Sequence, residues 1–373
     1  MITKGKVFMW KNVLKLLFIG FTFLVIASAC GMEEEQETRS EEKEEEQPLQ
    51  IYTTLFAWED FANKIGGEEV DVINLVPAGG DAHSFEPTSQ TMIDVVESDA
   101  FIFNGAGMEG FAEEINKMAQ EEGVLSIEVT KGIDLRSFTD DHAHEHNHNE
   151  ESEASSEEHD HGHGEVDPHI WLDPVIAVEA AENIKDALIK LRPEQKETFE
   201  DNFADLKEQL LDLDKEFFEM VDAAEGHQFI VSHSAYGYWE DRYGLEQIGL
   251  AGLAPSDEPS QKQLREIIEI VKDSGIQHVM LEKNVSSKVT EVVQDEVGAE
   301  ALHLHNLASL VQEERDSGED YFSLMKQNMD NLETALQLSG DTAPSQKSSD
   351  HHEDEHEDYE HEVSHDDHDH SHN

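Results

Sequence analysis

Short apolar runs alternate with longer stretches in which apolar residues recur every three or four positions, starting near Leu49. The runs Gln50 to Leu55, Val70 to Val76, Ala100 to Asn104 and Val124 to Val129 predict strands. Between them, Phe56 to Ile65, a segment through Met92, Val95 and Val96, and Gly110 to Ala119 predict helices. Gly66-Gly67 would end the first of these, and Thr88 or Ser89 would cap the second. The same rhythm returns with strands at Phe229 to Ser232, Leu245 to Leu250, Ile276 to Leu281 and Ala301 to Leu304. Its helices are Ala235 to Tyr243, Gln261 to Lys272, Ser287 to Val297 and Asp320 to Leu338. Strands alternating with helices predict parallel sheets, so the fold class is α/β with two parallel-sheet lobes.

The stretch between the halves is helical throughout. Ile176 to Leu191 predicts one helix, and Pro193 sits where another can start. Phe199, Phe203, Leu206, Leu210, Leu213, Phe217 and Val221 then mark one face of an amphipathic helix of about eight turns. Its position between two α/β halves predicts a long rigid helix joining them. The expected division is an N-terminal lobe over 49–173 with an insertion at 140–164, connecting helices over 174–225, and a C-terminal lobe over 226–343.

Both ends of the chain break this pattern. Lys4, Lys6, Lys11 and Lys15, the apolar run Leu16 to Ile26, and Ala27-Ser28-Ala29-Cys30 predict a secretory signal over 1–29. The apolar run is short for a membrane span. Cys30 is the only cysteine of 373 residues. The tetrapeptide ending at Cys30 resembles a lipobox, with Ala27 where leucine is usual. That resemblance implies a diacylglyceryl anchor on Cys30, which makes the protein extracytoplasmic and attached to the cell membrane through its N-terminal lipid. The Glu-rich segment up to residue 48 reads as a solvated tether.

Net charge sharpens the picture. At −60 the chain cannot present the basic surface that nucleic acid requires. It fits a soluble extracytoplasmic protein, a cation-rich environment, or both. Histidine is concentrated in two acidic tracts, with seven residues in 140–164 and eight in the tail 344–373. Their composition predicts disorder and loose metal binding. A purely solvating spacer is the simpler reading, but fifteen histidines in two tracts favour a metal collector or sensor that raises local metal concentration.

Seven histidines remain outside the tracts: His83, His169, His227, His233, His278, His303 and His305. His169 lies in Asp167-Pro168-His169-Ile170-Trp171-Leu172-Asp173-Pro174, between two Asp-Pro steps that stiffen the backbone. A lone loop histidine is usually structural, so its partners decide the matter. His83 and His233 also fall in loops at strand ends, where open α/β sheets bind ligands. His278 lies inside a predicted strand, His227 precedes one, and His303 and His305 share a face.

The segments Ala78 to Thr88, Asp167 to Pro174 and Ser232 to Tyr238 resemble the three ligand loops of the zinc- and manganese-binding lipoproteins that serve metal ABC transporters. Gly318 to Met325 is similar to the opening of that family's last helix, and the four motifs fall in family order between about residues 50 and 340. The resemblance implies a metal held between the lobes by His83, His169 and His233. It also implies no catalysis, a monomer, and partnership with a membrane permease and its ATPase. The chain departs from many relatives at Ala308, which stands where they carry a carboxylate ligand. Water, His305 or a histidine of the 140–164 tract could fill the fourth position. Three imidazoles with few oxygens favour Zn²⁺ over manganese, while ligand type leaves copper and nickel open. A manganese carrier of the same family is the alternative. Of other classes, a zinc hydrolase would use the same ligands, but no motif beside them places a general base, and a surface adhesin would not explain three matched histidine loops.

Overall fold

The computed structural model describes residues 47–138, 166–284 and 288–337. The signal segment, Cys30, nearly all of the acidic tether, the 140–164 tract and the 344–373 tail lie outside the described residues.

The N-terminal sheet contains β1 (Leu49–Thr53), β2 (Val70–Asn74), β3 (Ala100–Phe103) and β4 (Leu125–Glu128) in the order β2-β1-β3-β4. The C-terminal sheet contains β5 (Gln228–Val231), β6 (Glu246–Gly249), β7 (His278–Leu281) and β8 (Glu300–His303) in the order β6-β5-β7-β8. All pairings are parallel, and the two orders are the same, so the second half repeats the topology of the first.

The helices are α1 (Phe56–Gly66), α2 (Ser89–Val96), α3 (Ala112–Glu122), α4 (Pro174–Leu191), α5 (Lys196–Ala223), α6 (Gly237–Tyr243), α7 (Gln261–Ser274), α8 (Lys288–Val297), α9 (Gln312–Ser317) and α10 (Tyr321–Ala335). Three differ instructively from expectation. α3 begins later than Gly110 and runs to Glu122, where Gly123 takes the left-handed conformation at φ 85°. α4 begins at Pro174, because Asp173 caps it by accepting from the N–H groups of Val175 and Ile176. α9 was not expected, since its sequence is almost wholly polar and carries no apolar period.

Alternation along the strands divides the interior. Phe101 and Phe103 face outward onto Val95, Ala112 and Ile115, while Ala100 and Ile102 face the main core. In the second sheet, Ile230 and Val279 face α7 and α8, while Phe229, Val231 and Met280 face the main core. That main core is continuous from the first sheet through α4 and α5 to the second sheet and α10. The two lobes therefore share one apolar interior.

α5 is the rod that carries both. It has 28 residues, about 42 Å at 1.5 Å per residue. It packs on α1 and α4 of one half and on α6 and α10 of the other. All seven apolar residues of its expected face are buried, each contributing roughly 1.5–3 kcal/mol. Side chains also stitch the halves directly. Phe61 meets Tyr321 at 4.9 Å. Arg315 grips Glu59, and Lys64 reaches Asp320 at 2.8 Å. No described helix is long and apolar enough to cross a membrane.

Candidate metal centre

His83 follows β2, His233 follows β5, and His169 lies on the segment entering α4. The fold brings the three together. One ring nitrogen from each falls within 4.8 Å of the others. His83 Nε2 lies 3.3 Å from His169 Nε2. Ring centroids are 5.3 Å apart for His83 and His169, 5.4 Å for His169 and His233, and 6.1 Å for His83 and His233. His169 and His233 are buried, and His83 is half-buried, so access from solvent is on the His83 side.

Two of the rings are oriented by buried carboxylates. His169 Nδ1 lies 2.8 Å from Asp167 Oδ1, which also accepts from the His169 backbone N–H. His233 Nδ1 lies 2.5 Å from Glu282 Oε1. A ring that gives its Nδ1 proton to a carboxylate keeps the Nε2 lone pair free for a metal. The second oxygen of Glu282 accepts from the Asn306 side chain, whose own oxygen accepts from the Ala308 N–H at 3.0 Å.

The backbone bearing His169 is held from both lobes. Ile170 to Leu172 form a 3₁₀ turn rather than a plain loop. Tyr238 donates its hydroxyl to the Asp167 carbonyl at 2.7 Å, Tyr321 to that of Trp171 at 2.6 Å, and Trp239 donates its indole N–H to that of Leu172 at 2.7 Å. Asn104 donates to the Pro168 carbonyl at 3.0 Å, and the Trp171 indole N–H donates to the Asn306 carbonyl at 2.7 Å. The His83 loop is tied to the last loop: the Gly79 N–H donates to the Leu310 carbonyl at 2.8 Å, and Ser309 donates to the Gly80 carbonyl.

Charge separates the rings. Burial, with His169 and His233 beside it, pushes the His83 imidazolium down to about 2, so this ring is neutral. Burial also opposes charge on His233, but the Glu282 carboxylate outweighs it and raises the pKa. Three imidazole nitrogens facing a common point make a site for a borderline-soft cation, and a proton on His233 must leave before that ring can ligate.

A family model for ZnuA, described as the periplasmic component A of the zinc-uptake complex, matches residues 51–335. The chain belongs to the ZnuA family. It is 33% identical over 328 residues to the high-affinity zinc uptake system protein ZnuA of Bacillus subtilis, covering 88% of this chain and 99% of that one. It is 31% identical over 327 residues to the zinc-binding lipoprotein AdcA of Streptococcus pneumoniae, covering 88% of this chain but 63% of that longer protein. The crystal structure of the Zn(II)-bound ZnuA-like domain of Streptococcus pneumoniae AdcA superposes with a TM-score of 0.63 at 30% identity, over 78% of this chain and 99% of that one. The two-lobed α/β fold is that of the ZnuA-like proteins.

In this ZnuA-family chain, other candidates fall away from the cluster. His227 and His303 are exposed, and His278 opens β7. β8 ends at His303, which leaves His305 in the following loop. There both nitrogens of His305 are used, Nδ1 accepting from the Leu307 N–H at 2.8 Å and Nε2 paired with Glu314 at 3.1 Å. His305 is thus engaged by Leu307 and Glu314 and is not one of the three clustered rings. Ala308 offers its backbone to Asn306 and Phe56 and has no side-chain donor. Sequence reading missed Glu282 and treated Asp167 only as part of a stiff backbone step. The available signal for Glu282 was its place just past the end of the strand beside the one that precedes His233.

Proposed function

We propose that the protein captures Zn²⁺ on His83, His169 and His233 and delivers it to the permease of an ABC importer driven by a cytoplasmic ATPase. The observation that carries this reading is the trio of nitrogens within 4.8 Å, two of them on rings whose Nδ1 faces a buried carboxylate. Zinc is the cargo here, and water completes its tetrahedron in place of the missing Ala308 carboxylate. Family membership supports a transport component over a hydrolase. The all-nitrogen donor set supports zinc over manganese, which prefers oxygen. The remaining features follow the sequence: a lipid on Cys30, a mature chain beginning there, lobes over 49–173 and 226–343, action as a monomer, and histidine tracts that collect zinc.

The test is a titration of the chain lacking residues 140–164 against Zn²⁺, in competition with a chelator and with Mn²⁺. One tight zinc site per chain, not displaced by excess manganese, is expected. Equal competition by manganese would favour the alternative cargo, and loss of the tight site would place a ligand in the excised tract. Cys30→Ser should free the protein from membranes.

A further inference from the structure

Arg136 stands where the N-terminal lobe gives way to the histidine-rich tract, and its guanidinium faces the other lobe. Nε lies 2.9 Å from Asp241 Oδ2 and Nη2 lies 2.8 Å from Glu240 Oε2, both on α6, the helix that follows His233. Nη1 lies 4.0 Å from Asp167 Oδ2. The other oxygen of Asp167 is the one that holds the His169 ring. One side chain thus links the carboxylate behind His169 to the helix behind His233. In a chain with 25 Lys and Arg against 85 Asp and Glu, a cation placed among three such carboxylates is not surplus charge.

Three further observations support the placement. Asp167 is fully buried, and its Oδ2 has no hydrogen-bond partner among the described residues, so the nearby guanidinium answers its charge. Gly237 makes the approach possible: a Cβ there would come within 2.1 Å of Arg136 Nη1 and 2.6 Å of Asp167 Oδ2. The backbone is fixed as well. The Asp167 N–H donates to the Arg136 carbonyl at 2.8 Å, the Arg136 N–H donates to the Tyr238 hydroxyl at 3.2 Å, and Ser137 and Val166 form an antiparallel bridge.

Arg242 supplies a contrast within the same cleft. It also joins the halves, with Nε 2.6 Å from Asp173 Oδ2 and Nη1 3.7 Å from Asp214 Oδ1. Neither carboxylate holds a histidine: Asp173 caps α4, and Asp214 accepts from Tyr243.

We propose that Arg136 is a positioning residue for the metal centre. By fixing Asp167 against α6, it holds His169 in the tautomer that presents Nε2 to the cargo. This proposal rests on the reading of the three histidines as the zinc site.

The test uses the full chain and two readouts: the tautomer of His169 by nitrogen-15 NMR without zinc, and the rate of Zn²⁺ release to a chelator. Arg136→Gln should average the His169 tautomers and speed release about ten-fold, as loss of a partner behind a ligand does. Gly237→Ala should reproduce both effects without removing any charge. Arg242→Gln should leave both unchanged. An unaltered tautomer in Arg136→Gln and Gly237→Ala, or an equal effect from Arg242→Gln, would overturn the proposal in favour of general stiffness between the lobes. Retention of tight zinc by His169→Ala would instead overturn the reading of the site, and the zinc-free tautomer would still decide the role of Arg136.

Discussion

Glu282 and His233 sit at the ends of the paired strands β7 and β5, with Oε1 2.5 Å from Nδ1, and both are buried. The Glu282 carboxylate raises the pKa of this ring against the effect of burial. Glu282→Gln keeps the volume but removes the charge. Zinc affinity should fall roughly 10- to 100-fold, the usual cost of losing a partner behind a ligand. Chelator competition at neutral pH measures it, and an unchanged affinity would mean that Glu282 does not tune the site.

Protons and zinc compete for the rings, but not equally. His83 stays neutral because its pKa is pushed down to about 2, whereas the pKa of His233 is raised above its ordinary 6.5. Affinity should therefore decline as pH falls through the raised value for His233, and Glu282→Gln should move that decline to lower pH. In the zinc-free protein the sign reverses. Stability from the His233–Glu282 pair is full below the unfolded value and is lost as pH rises through the folded one. Titrations at several pH values, with and without zinc, check both directions.

His305 is the nearest competitor for the fourth ligand by sequence, yet both its nitrogens are used. His305→Ala should leave zinc affinity within about two-fold while lowering stability by about 1 kcal/mol through the lost hydrogen bonds. A large loss of affinity with an intact fold would return His305 to the metal.

Asp60 gives a pH signature away from the site. Burial outweighs Lys64 and raises its pKa from 3.8 to about 6, and its Oδ2 has no hydrogen-bond partner among the described residues. The protonated native form is favoured, so its contribution to stability is full below about 3.8 and lost as pH rises through about 6. Asp60→Asn should stabilise the protein at pH near 8, by at most about 3 kcal/mol for two pKa units less the lost Lys64 pair. The gain should vanish near pH 3.5. Urea unfolding at the two pH values tests it, and a gain that persists in acid would rule out ionisation as the cause.

The sequence by itself determined the element order, the repeat of two parallel α/β halves and the face of the long helix. Period and breakers are local properties, and Phe199 to Val221 recur on one face whatever they pack against. It also marked His83, His169 and His233, because each lies in a loop with its own motif. Helix ends were less legible. Asp173 caps α4 through a side-chain bond, and polar α9 carries no apolar period. Only the tertiary structure decided that the three rings meet, that one core runs through both lobes, and that His305 is engaged elsewhere. It alone paired Glu282 with His233 and set Arg136 beside Asp167. Each of these joins residues far apart in the chain, and no periodicity encodes a distance across a fold. They exist because closing both sheets onto α5 brings the carboxyl ends of different strands to one place.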